Sequence, residues 1–190
     1  WFLCVTSTGS SYQPRNILFV MNGVDQAGAP KYEVVAADLR VPLGKPVYIA
    51  ASVSAQGNQQ GEVTFYLKDL SDPKAPMQTA TVKHSVVGKL NDSSFPVTVG
   101  GRRKTGHLWD GQVSRLTISK GYLAENQLFL HEQPVAPERI VDWNFSGRID
   151  GGIPVPNANW IGREVVNPRL DSITDFCHLL FNSNEFLYLY

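Results

Sequence analysis

The stretch "VYIAASVSAQGNQQGEVTFYL", residues 47–67, decides the fold class. From Val47 to Ala55, the residues Val47, Ile49, Ala51, Val53 and Ala55 alternate with Tyr48, Ala50, Ser52 and Ser54. Val63, Phe65 and Leu67 then alternate with Thr64 and Tyr66. A period of two puts each set on one face of an extended chain, so both runs are strands with an apolar face to bury. The intervening "SAQGNQQGE" is rich in residues that accept positive φ or hydrogen-bond their own turn.

The same alternation between strand and turn continues in both directions. "NILFVMN" (16–22) is apolar on both faces, as expected of a strand inside a sandwich. "FPVTVGG" (95–101), "GQVSRLTIS" (111–119) and "IVDWNF" (140–145) extend the series, and the misphased Val113 suggests a bulge just after Gly111. "NGVDQAGAPK", "SDPKAP" and "GKLNDSS" separate them. With no long helix between strands, the pattern argues for an antiparallel β-sandwich and against a parallel α/β sheet.

Beyond Ser119 the pattern changes. "YLAENQLFL" (122–130) is long enough for a helix of two turns, and residues 146–169 are too rich in Gly, Pro and Asn for regular structure. In "LDSITDFCHLLFNSNEF" (170–186), Ser172 and Asp175 resemble a capping box, and Leu170, Ile173, Phe176, Cys177 and Leu180 make a helical stripe. The closing "FLYLY" is too apolar to stay in water and should pack on something, a neighbouring domain included. We therefore expect a sandwich over residues 1–145, and an irregular extension over 146–190 that ends in a helix. Because "WFLCVTST" reads as a strand entered midway, the chain is expected to be an N-terminally truncated piece of a longer protein.

Composition narrows the function classes. Lys+Arg and Asp+Glu both number 17 in 190 residues, which removes the electrostatic case for nucleic acid or an anionic membrane. No apolar run approaches the roughly 20 residues that span a bilayer. Cys4 and Cys177 match neither zinc spacing nor a haem-attachment motif, so no cofactor is expected.

Taken in order, "KPVYIAASVS", "GEVTFYLKDL", "FPVTVGGR", "HLWDGQVSRLTIS" and "YLAENQL" resemble the strands and short helix of laminin-G-like, concanavalin A-like jelly rolls. The chain departs from that pattern at "YLKDLSD", where Asp-Gly is usual, and at Ser114, where an acidic residue is common. "DSITDFCHLLFNSNEFLYLY" is similar to the closing segment of large planctomycete proteins built from a cytochrome-c-like domain and domains of unknown function. The resemblance implies an extracytoplasmic location and a lectin-like module, with polysaccharide and the flanking domains of the parent chain as partners.

Hydrolytic chemistry finds little footing. A retaining glycosidase needs two carboxyl groups about 5–5.5 Å apart, whereas Glu62, Glu125, Glu132, Glu138, Glu164 and Glu185 are scattered singly and Asp142 has no acidic neighbour. Cys177 and His178 are adjacent on the expected helix, so their side chains diverge and cannot form a nucleophile–base pair. Calcium would suit the acidic turns at Asp69, Asp72, Asn91 and Asp92, but such residues commonly cap their own backbone. Sugar binding needs an aromatic platform beside planar polar groups. Trp109, Asp110, His107 and Arg102 form the best local set, with Tyr66 and Asp69 as neighbours. Trp109 equally suits a plug that closes the sandwich, with Gly111 allowing the turn beneath it. A lectin should expose two or more aromatics on one face or rim, whereas a spacer should bury Trp109.

Overall fold

The computed structural model describes residues 1–55, 61–88, 90, 97–101, 107, 109, 111–128, 138–145, 179–180 and 186–189, with residue 144 and the last two stretches described through their backbone. The strands are β1 (Phe2–Val5), β2 (Asn16–Val24), β3 (Pro30–Arg40), β4 (Val47–Ser54), β5 (Gly61–Asp69), β6 (Gln78–His84), β7 (Thr98–Val99), β8 (Arg115–Lys120), β9 (Glu138–Asn144), β10 (Leu179–Leu180) and β11 (Phe186–Leu189). They form a five-stranded sheet in the order β3-β2-β1-β10-β7 and a six-stranded sheet in the order β6-β5-β4-β11-β8-β9. Every pairing is antiparallel.

The alternation read from residues 47–67 is realised in register. Ala51 pairs with Phe65 and Val53 with Val63, so Ile49, Ala51, Val53, Val63, Phe65 and Leu67 share the inner face of the larger sheet. Trp1, Leu3, Ile17, Phe19 and Met21 meet them from the smaller sheet in one core. Trp1 stacks on Phe19 at 5.4 Å between ring centroids. β2 is buried on both faces, because Leu18 and Val20 lie behind Phe19 and are also nearly inaccessible. The β3 and β6 sides are tied together where the Ser85 backbone N–H and hydroxyl both donate to Glu33 Oε2, at 2.9 and 2.6 Å.

The outer face of the larger sheet carries a second cluster, Tyr48, Ala50, Tyr66, Leu123 and Leu128. Residues 121–128 cross this face as a roof. The two-turn helix expected there is a single 3-10 turn, Glu125–Gln127, in which the Ala124 N–H donates to Gln127 Oε1 at 2.9 Å. Side-chain hydroxyls hold the roof down. Tyr66 donates to the Leu123 carbonyl (3.2 Å), Ser52 Oγ accepts from the Leu123 N–H (2.8 Å), and Thr64 Oγ1 lies 2.8 Å from the Tyr122 hydroxyl. Ala124 and Leu128, on either side of the turn, are extended.

Two further expectations change. The bulge foreseen after Gly111 lies instead between Ile118 and Ser119 in the β8–β9 pairing; residues 111–114 precede the strand, so the phase of Val113 is unconstrained. Leu180, placed on the helical stripe, is a strand residue paired with Phe2 and Thr98. The rest of that stripe and the linker at 146–169 lie outside the described residues. Four residues of "FLYLY" form β11, whose backbone pairs with β4 on one side and β8 on the other. The segment thus packs on this chain's own sheet.

Candidate functional site

Trp109 stands next to the end of β7. Its backbone N–H donates to the Gly100 carbonyl at 2.7 Å, and Gly100 adopts a left-handed φ of 81°. A side chain is strained in that conformation, so glycine permits the chain to turn back here. Trp109 is half-buried, with its indole nitrogen inaccessible, and His107 is exposed. Arg102 and Asp110 lie outside the described residues.

The other two expected members are elsewhere. Tyr66 belongs to the outer face of the larger sheet, is 3% exposed and lies under the roof, so its ring offers no open platform. Burial pushes its phenol well above the usual range, reinforced by Tyr122 and Glu125 nearby. Asp69 ends β5 and receives Lys45 Nζ at 2.7 Å. Its carboxyl is lowered to about 2, first by the Lys45 hydrogen bond and then by Ser71. Asp69 Oδ1 also accepts the Ser71 N–H (2.9 Å), and Asp72 Oδ1 accepts the Lys74 N–H (2.9 Å). Asp69 and Asp72 therefore cap their own backbone, while Asn91 and Asp92 lie outside the described residues. Among the described residues, no three of His, Cys, Asp or Glu gather as a metal site, and no helix is long and apolar enough to cross a membrane.

Asp142, the acid noted in "IVDWNF", is clamped by arginine. Arg115 donates through Nε and Nη2 to its two carboxylate oxygens, both at 2.8 Å, and Arg139 adds a third bond. These partners, Arg115 first, hold its carboxyl below the usual range. A carboxylate kept ionised in this way is a poor general acid.

The corner that sequence reasoning missed is the loop between β1 and β2. Gln13, Arg15 and Asp38 are non-glycine residues with φ of 68°, 60° and 55°. Such conformations are uncommon and persist only where surrounding contacts impose them. Here the nearly inaccessible Asn16 supplies those contacts. Its Nδ2 donates to the Tyr12 carbonyl (3.0 Å), its Oδ1 accepts from the Leu39 N–H (3.0 Å), and its own N–H donates to Thr6 Oγ1 (2.8 Å). Arg15 is fixed on both sides, by its N–H to the Thr6 carbonyl (3.1 Å) and by the Val41 N–H to its own carbonyl (2.9 Å). On this frame Tyr12 is 43% exposed, and Arg40 Nη2 donates to Gln13 Oε1 at 3.0 Å. The only signal in the sequence was an aromatic in a turn-forming run, "SSYQPRN".

Comparison with protein families, with characterised proteins and with solved structures finds no match to this chain.

Proposed function

We propose that the chain is a non-catalytic, lectin-like polysaccharide-binding module of the laminin-G-like, concanavalin A-like jelly-roll kind, belonging to an extracytoplasmic protein. The ordered strand motifs support the fold family, and the two-sheet antiparallel sandwich is compatible with it. One observation carries the binding reading. Half-buried Trp109 is pinned through its backbone at the end of β7, two residues from the exposed His107. A half-buried indole on a fixed backbone, with an exposed polar residue two positions away, suits the apolar face and hydroxyl rim of a sugar.

A second reading, a structural module that spaces or docks flanking domains, is favoured by the inaccessible indole nitrogen of Trp109 and the burial of Tyr66. Binding of the chain to a panel of soluble and insoluble polysaccharides separates the two. Affinity lost in Trp109→Ala with the fold retained supports the lectin. No binding to any polysaccharide, together with unfolding of Trp109→Ala, supports the spacer.

A further inference from the structure

β1 and β7 are both antiparallel to β10, so they run in the same direction. The chain therefore leaves β1 at Thr6 and β7 at Gly100 on the same end of the smaller sheet. β7 lies two places from β1 in the strand order, a separation of about 10 Å. Because the Trp109 N–H bonds to the Gly100 carbonyl, Trp109 and the Tyr12 loop lie at the same end of the smaller sheet. An exposed Tyr12 and a half-buried Trp109 at one end of the sheet fit a lectin better than a spacer.

We propose that the Thr6–Arg15 loop is a second sugar subsite on this rim, centred on Tyr12, for a polysaccharide chain that also reaches Trp109. This inference rests on the lectin reading above. The phenol ring of Tyr12 offers a flat apolar surface to the C–H face of a sugar. Gln13 and Arg40 stand beside it with planar amide and guanidinium groups, which hold more donors than their single mutual bond uses. The left-handed residues matter because they fix the loop before ligand arrives. A rim already ordered by Asn16 and Thr6 loses little conformational freedom on binding.

The test is titration calorimetry of the full chain with a soluble β-glucan, a xylan and a galactomannan, and with alginate as the acidic comparison. One of the four polymers is expected to bind, with Tyr12→Ala roughly tenfold weaker. Tyr12→Phe should keep wild-type affinity and Arg40→Ala should lose part of it, both with unchanged melting temperature. If Tyr12→Ala and Arg40→Ala bind like wild type while Trp109→Ala does not, the lectin reading stands and the Tyr12 subsite is overturned. Binding to none of the four polymers overturns both.

Discussion

A Cβ on Gly61 would fall 2.5 Å from both Cε1 and Nε2 of His84, so the imidazole occupies the space a side chain would need. The ring is there because Nε2 donates to the Ser54 carbonyl at 2.8 Å, across the start of the β4–β5 pair. The same Cβ would lie 1.9 Å from that Ser54 oxygen. We expect Gly61→Ala to destabilise the fold by about 1–3 kcal/mol or more, the cost of overpacking. Truncating His84 in the same chain should not restore stability, because the nearer obstacle is backbone. Urea denaturation of both variants decides it; rescue by His84→Ala would show that the side chain alone forbids the substitution.

The roof over the larger sheet gives a graded pair of expectations. Tyr66→Phe removes one hydrogen bond to the Leu123 carbonyl and should cost about 1 kcal/mol. Leu128→Ala opens a cavity beneath a residue with no accessible surface and should cost about 2–5 kcal/mol. Equal losses in chemical denaturation would mean that the hydroxyl contacts, not the apolar ones, hold residues 121–128 down.

Asp69 makes the acid limb of stability testable. Its carboxyl falls from 3.8 to about 2 in the folded chain, so folding favours the ionised form. The stabilisation is therefore fully present above 3.8 and disappears as pH falls toward about 2. Lys45 is exposed, so the contribution is small and screened by salt. Wild type and Asp69→Asn should differ most at neutral pH and low salt, and their acid unfolding curves should converge at the lowest pH. A difference that grows on acidification would contradict the assigned pairing.

Leu187 is flanked by Ala51 on β4 and Ile118 on β8. Proline there cannot donate to either neighbour and is excluded from the interior of a sheet. We expect Leu187→Pro to cost about 3 kcal/mol or more, read as early thermal unfolding by circular dichroism. A wild-type melt would remove β11 from the centre of the sheet.

The sheets were legible because their inner faces are long regular alternations, as at Ile49, Ala51 and Val53. The outer face was legible only in part. Thr64 and Tyr66 have the composition of a wetted strand surface, yet they are covered by a segment whose Leu123 lies 57 positions from Tyr66. Nothing local to Tyr66 reports that cover. "FLYLY" declared that it must be buried, but a short apolar run does not say as what, and the helical stripe through Leu180 pointed away from a strand. The corner around Asn16 escaped for another reason. Left-handed backbone at Gln13 and Arg15 follows from the hydrogen bonds of Asn16 and Thr6, and neither residue type announces it.

β11 joins β6-β5-β4 to β8-β9, and β10 joins β1 to β7, so residues 179–180 and 186–189 complete both sheets. A ribosome delivers these residues after every strand they unite. Until then β4 and β8 each present an open ladder of amide and carbonyl groups, a template for unwanted pairing between nascent copies. Closure waits for contacts of very long sequence separation, which places this chain among the slower folders. Its hazard is therefore one of timing, opening when β8 has emerged and easing once two short strands have slotted in.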